Sequence, residues 1–222
     1  MITVEHILKK YGDRTVLDVS SLQFKKGETT VIAGPNGSGK STLLKILAST
    51  LKADINISEV NGRILYLPQQ VVAFSKTVEK NVLFSMNEKE NSESRCREIL
   101  EETELLHLKD RNAKTLSGGE CQRLALSRLL VNKADFLILD EPASAADVEG
   151  CEIIERAIKN YQKKYGAGVI MTTHSPKQAL TMGDRIIILC DGKVAECGEA
   201  SEILRNPKNE WSEKFISQWK LD

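Results

Sequence analysis

Gly34-Pro35-Asn36-Gly37-Ser38-Gly39-Lys40-Ser41 follows a short apolar run, Thr29-Thr30-Val31-Ile32-Ala33, and leads into Thr42 and a segment with Leu43, Leu44 and Leu47 on one side. The run predicts a buried strand, and the leucine spacing predicts a helix over 41–50. The loop between them matches G-x-x-x-x-G-K-[ST], a pattern that cradles phosphates when it joins a strand to a helix. Gly34, Gly37 and Gly39 let successive backbone N–H groups turn inward as an anion nest, with Pro35, Asn36 and Ser38 interleaved. The helix that follows offers unpaired N-terminal donors and the positive end of its dipole. Lys40 adds a full positive charge for the β- and γ-phosphates of a nucleotide, and the Ser41 hydroxyl can ligate Mg²⁺. A turn that merely reversed the chain would need none of these fixed positions.

A second constellation lies about a hundred residues on. Phe136-Leu137-Ile138-Leu139 is a continuous apolar run of the kind found in strands covered on both faces. It delivers Asp140-Glu141 to its carboxyl end, where ligands bind in open parallel sheets. Asp140 is placed to hold Mg²⁺, and Glu141 to act on the water that attacks the γ-phosphate. The remaining pattern alternates strands and helices. Strands are expected over 2–8, 15–24, 63–67, 168–173 and 185–190, and an amphipathic helix at 153–161. From 77 to about 107 the period is helical, with Cys96, Ile99, Leu100, Thr103 and Leu106 on one face. Asp191-Gly192 marks a tight hairpin. The fold class is therefore α/β with a mostly parallel core sheet and a helical segment at about 77–132 set apart.

Composition narrows the function classes. The 222 residues contain 31 Lys+Arg and 31 Asp+Glu, so no basic excess points to nucleic acid, and none is expected as a partner. No run approaches the ~20 apolar residues that cross a bilayer, and the start Met1-Ile2-Thr3-Val4-Glu5-His6 lacks a signal-peptide layout. A cytoplasmic location is expected, with any membrane role exerted through a partner. Five scattered cysteines without a CxxC read as free thiols.

Leu116-Ser117-Gly118-Gly119-Glu120, followed by Cys121-Gln122-Arg123, resembles the LSGGQ signature of the ABC (ATP-binding cassette) ATPases, with Glu120 where Gln is usual. The resemblance covers essentially the whole chain and implies the P-loop NTPase fold of that family. It also implies that Ser117, Gly118, Gly119 and Glu120 meet the γ-phosphate bound by an opposite subunit. Ser117 with Glu120 three residues later is equally a helix capping box, and both roles can hold together. Further positions carry over by resemblance. Gln69 in Tyr66-Leu67-Pro68-Gln69 stands for the glutamine that touches Mg²⁺ and couples to the membrane subunit. His174 stands for the switch histidine at the γ-phosphate, and Asp147 for the aspartate joining the two sites, after a small Ala146. Tyr11 stands for the aromatic that stacks on adenine, and Val16 for a contact to ribose or base. Only 29 positions separate Lys40 from Gln69, so a shortened antiparallel β-subdomain is expected. Trp211, Phe215 and Trp219, four apart, predict a helical stripe that packs on the body.

The resemblance implies one nucleotide-binding domain over 1–222 that binds ATP and Mg²⁺ and hydrolyses ATP. It further implies a head-to-tail homodimer or heterodimer, docked on a transmembrane permease at the inner face of the membrane. Bacterial importers are the nearest likeness, with oxyanion uptake (tungstate or phosphate) or metal uptake as cargo types. The alternatives are a non-transport ATPase serving iron–sulfur assembly, and a binder that does not hydrolyse.

Overall fold

The computed structural model describes residues 1–87 and 92–219. Residues 88–91, inside the predicted helical stretch, and residues 220–222 lie outside that description. Nine strands and eight α-helices are described. They run β1 (Ile2–Tyr11), β2 (Arg14–Phe24), β3 (Thr29–Ala33), α1 (Lys40–Leu47), β4 (Ile55–Val60), β5 (Ile64–Leu67), α2 (Val78–Ser85), α3 (Ser92–Glu102) and α4 (Gly118–Leu130). Then come β6 (Phe136–Leu139), α5 (Val148–Tyr165), β7 (Gly168–Thr172), α6 (Pro176–Met182), β8 (Arg185–Cys190), β9 (Lys193–Glu199), α7 (Ala200–Arg205) and α8 (Glu210–Gln218).

A six-stranded sheet is ordered β5-β6-β7-β3-β8-β9, parallel except for the last pair. Its central strands are buried on both faces, and their alternation sorts the core in two. Val31, Leu137, Leu139, Val169, Met171, Ile186 and Ile188 face one cluster, shared with α2–α5. Ile32, Phe136, Ile138, Ile170 and Ile187 face the other, shared with α1 and the antiparallel sheet β2-β1-β4. This two-sided burial is why the strands read as unbroken apolar runs. The parallel strands end at one edge, and both β3 and β6 deliver their loops there.

The small sheet includes β4, which sequence reading left unassigned. Ile55, Ile57 and Val60 are exposed there, so no hydrophobic alternation marked the strand. The helical stretch breaks into α2 and α3. Cys96, Ile99, Leu100 and Thr103 are all buried, as their spacing requires, and Leu106 is half-buried in a short 3₁₀ turn. Asp191 and Gly192 take φ of 45° and 78°, the positive pair that a two-residue hairpin of this twist needs. In the aromatic stripe, Trp211 and Phe215 lie on α8 and stack at 5.7 Å, while Trp219 caps its end. All three pack against the larger cluster.

Candidate nucleotide site

The phosphate loop connects β3 to α1. Gly34, Gly37 and Gly39 have φ of 145°, 79° and 100°, a backbone that L side chains resist. Two of these glycines are also close approaches. A Cβ on Gly34 would lie 2.2 Å from the Leu189 carbonyl oxygen, and one on Gly39 would lie 2.9 Å from that of Val16. Val16 thus runs directly over the loop. The Lys40 ammonium is buried and donates to the carbonyls of Gly34 and Pro35 at 2.8 and 2.9 Å, curling back over its own loop. Burial lowers its pKa, against the opposing charges of Glu141 and Asp140. Ser38 Oγ is buried without a hydrogen-bond partner. An orphaned hydroxyl inside a glycine nest fits a site shaped for an anion.

Asp140 is 2% exposed and lies at the end of β6 beside this loop. Its Oδ1 accepts from Ser41 Oγ at 3.1 Å and from Thr172 Oγ1 at 2.8 Å. Thr172 Oγ1 also accepts from the Glu141 backbone N–H at 2.9 Å, so one hydroxyl on β7 fixes both acidic residues. Glu141 has φ of 51°, unusual for a non-glycine residue, and its Oε1 meets His174 Nε2 at 2.8 Å. The Glu141 side chain is 14% exposed against 46% for His174, leaving the imidazole as the more open partner. Ser41, Asp140, Glu141, His174 and Lys40 thus gather at one edge of the sheet. Gln69 is exposed two residues beyond β5, whose Leu67 carbonyl accepts from the Asp140 N–H at 2.9 Å. Tyr66, on the same strand, has its phenol pushed up to about 12, mainly by burial and then by the Asp140 charge.

Ser117 caps α4 in a reciprocal capping box. The Glu120 N–H donates to Ser117 Oγ at 3.3 Å, and the Ser117 N–H donates to Glu120 Oε2 at 2.7 Å. This box, led by the backbone N–H of Ser117, holds the Glu120 carboxyl below its ordinary pKa. Ser117, Gly118, Gly119 and Glu120 open onto a cavity of about 440 Å³ shared with His107 and Asp147. Asp147 caps α5 through the Gly150 N–H at 2.8 Å. No residue of the phosphate loop lines that cavity. Tyr11 is exposed at the end of β1, with the Lys9 ammonium 5.0 Å from its ring centroid.

Two residues went unassigned by sequence reading. Thr172 was placed only as a strand position. Gln122 was quoted only as part of a motif, yet it is buried and bonds to Glu141 and Ala145. The available signal was a polar residue on the buried face of a helix, which is costly unless paired.

The family model described as "ABC transporter" matches residues 17–144, more than half of the chain. The chain belongs to the ABC transporter family. It is 34% identical to the spermidine/putrescine import ATP-binding protein PotA of Clostridioides difficile, over 98% of this chain and 67% of that one. It is 33% identical to the molybdate/tungstate import ATP-binding protein WtpC of Pyrococcus horikoshii, over 97% of this chain and 67% of that one. It also superposes on a dimeric ATP-binding cassette in a post-hydrolysis state bound to ADP and Pi. The TM-score there is 0.80 at 28% identity, over 90% of this chain and 99% of that one. As a family member the chain binds ATP and hydrolyses it to power transport across a membrane. The kinship supports that role over iron–sulfur assembly. Among the described residues no helix is long and apolar enough to cross a membrane.

Proposed function

We propose that residues 1–222 form one nucleotide-binding domain, with 77–132 as its helical subdomain, and that two such domains close head to tail over ATP. The observation that carries this reading is the separation of two half-sites. The Glu141–His174 pair, 2.8 Å apart, lies beside the phosphate loop, whereas Ser117–Glu120 lines a cavity that the loop does not enter. A second copy, or a related cassette, supplies the missing half. The post-hydrolysis relative is itself dimeric.

In the proposed reaction the loop amides and Lys40 bind the β- and γ-phosphates. Tyr11 stacks on the adenine, Val16 contacts ribose or base, and Thr42 continues the donor array after Ser41. Ser41, Asp140 and Gln69 form an all-oxygen donor set that suits Mg²⁺, which takes few protein ligands beside substrate phosphates. Bound there, Mg²⁺ would supply neutralisation of phosphate charge. Glu141 orients water and takes its proton as the water oxygen bonds to the γ-phosphorus. The bond to the β,γ-bridging oxygen breaks, leaving ADP and phosphate. His174 holds the Glu141 carboxylate and touches a γ-oxygen, and Asp147 joins the two sites across the dimer.

The transporter is an importer, with this chain held at the cytoplasmic face through its permease. PotA carries a polycation in its name and WtpC an oxyanion, at nearly equal identity to this chain. Cargos of opposite charge on one engine argue that the solute is chosen by the permease. For the permease contact we assign the groove beyond Gln69, where Val72 and Phe84 are 65% and 68% exposed. Phe74 packs edge-on against Phe84 at 5.4 Å, with the Arg128 guanidinium 4.1 Å from its ring centroid.

The test is hydrolysis by wild type and Glu141→Gln. The variant is expected to lose at least about 100-fold in kcat, the range for a lost general base. It is also expected to elute as a dimer with ATP and Mg²⁺. Equal rates would remove Glu141 from the chemistry.

A further inference from the structure

Gln122 lies in α4 five residues after the Ser117 cap and is 2% exposed. Its side-chain amide reaches the segment behind Glu141. Nε2 donates to the Glu141 carbonyl at 2.9 Å, with Ser144 Oγ at 3.5 Å, and Oε1 accepts from the Ala145 N–H at 2.8 Å. A carbonyl can only accept and a backbone N–H can only donate, so this pairing fixes the orientation of the amide. Glu141 itself sits at φ 51°, a conformation an L-residue keeps when its surroundings impose it. Thr172 Oγ1 holds the Glu141 N–H from β7, and Gln122 holds its carbonyl from α4.

We infer that Gln122 is a positioning residue: its amide locks the Glu141–Ala145 turn to α4, so the Ser117 half-site and the Glu141–His174 pair move as one unit. The inference rests on the proposed roles of those two half-sites. In a head-to-tail pair, Ser117 of one copy faces nucleotide on the other, while Glu141 acts on its own. The amide is therefore a mechanical link from one nucleotide to the base that serves the second. An apolar side chain of the same length would fill the space and carry no link.

Two full-length variants separate the possibilities. Gln122→Leu loses both bonds, while Gln122→Glu keeps an oxygen for the Ala145 N–H and loses the donor to the Glu141 carbonyl. Both are expected to lower kcat roughly tenfold to thirtyfold, as for one or two neutral hydrogen bonds, with half-saturating ATP changed by less than about threefold. Hydrogen exchange should accelerate across 141–147 in Gln122→Leu, and the Ala145 amide should stay slow in Gln122→Glu. Wild-type kcat in both variants would overturn the inference. So would a loss of kcat with unchanged exchange over 141–147 in Gln122→Leu. Glu141→Gln, run alongside, keeps the two readings apart. If it is inactive while both Gln122 variants turn over normally, only the positioning role falls. If it is fully active, the catalytic assignment of Glu141 falls, and the exchange data still report whether Gln122 holds the turn.

Discussion

Thr172→Val removes one hydroxyl from the centre of the site and little else. Thr172 is fully buried at the end of β7, and valine fills nearly the same volume, so no cavity opens. Two interactions disappear. The Glu141 N–H loses its 2.9 Å acceptor, and an unpaired donor costs about 1–3 kcal/mol. Asp140 loses a 2.8 Å donor to a carboxylate, ordinarily about 1.5–3 kcal/mol, but Ser41 Oγ remains at 3.1 Å and softens that loss. Together these come to about 2–5 kcal/mol, a large fraction of the ~5–15 kcal/mol typical of a folded domain. Urea denaturation should show the midpoint falling at constant slope, and the thermal midpoint should fall by roughly 10 °C. Thr172→Ser supplies the control, because it keeps the hydroxyl and sacrifices one methyl group for about 1 kcal/mol. The valine variant must therefore be the less stable of the two. A serine variant equal to or weaker than the valine variant would refute the claim that this hydroxyl holds the acidic pair.

Gly34→Ala should fail to bind ATP and lower stability, because its Cβ would sit 2.2 Å from the Leu189 carbonyl oxygen at a φ of 145°; normal fluorescent-nucleotide binding would contradict this. Glu120→Gln probes the capping box through pH. The folded Glu120 pKa is depressed, so its contribution to stability is present above the unfolded value and lost as pH falls through the folded one. The stability gap between wild type and Glu120→Gln should therefore hold from pH 7 down to the ordinary glutamate value of about 4.3 and shrink only below it, read as urea midpoints. Phe84→Asp, on the exposed face assigned to the permease, should leave the hydrolysis rate of the isolated chain unchanged and abolish its co-purification with the permease.

The parts of this molecule that were legible beforehand are those where one residue type leaves little choice. The loop from Gly34 to Ser41 needs backbone angles that only glycine takes easily. Phe136–Leu139 is apolar at every step, and Thr29–Ala33 from Val31 onward, because both faces of each strand are covered. Asp191-Gly192 could hardly be anything but a tight reversal. What escaped was set by tertiary neighbours. Strand β4 carries an exposed Ile55 and Ile57 and is held by pairing with β1, a contact that no local pattern announces. Thr172 reads as an ordinary β-branched strand residue until β6 is placed beside it. Gln122 shares a helix face with Leu126 and Leu130, which marks it as interior, but only the packing of α4 against the loop after β6 names its partners.

Those two missed residues share a property with consequences for the engine. Glu141 and Asp140 follow a strand whose side is apolar throughout, so nothing local can aim their carboxylates. Thr172 holds the Asp140 carboxylate and the Glu141 N–H, Gln122 holds the Glu141 carbonyl, and both are neutral groups, while His174 meets the Glu141 carboxylate. A charged group in either place would compete with the metal or the γ-phosphate, whereas a neutral hydroxyl or amide fixes geometry without altering the charge that the chemistry uses. The charged residues at the site, Lys40, Asp140 and Glu141, are then the ones proposed to act on nucleotide. His174, half-exposed beside Glu141, is the open partner of that pair. Holding the base with neutral groups and leaving its open partner at the surface is the arrangement expected if hydrolysis waits for the dimer to close.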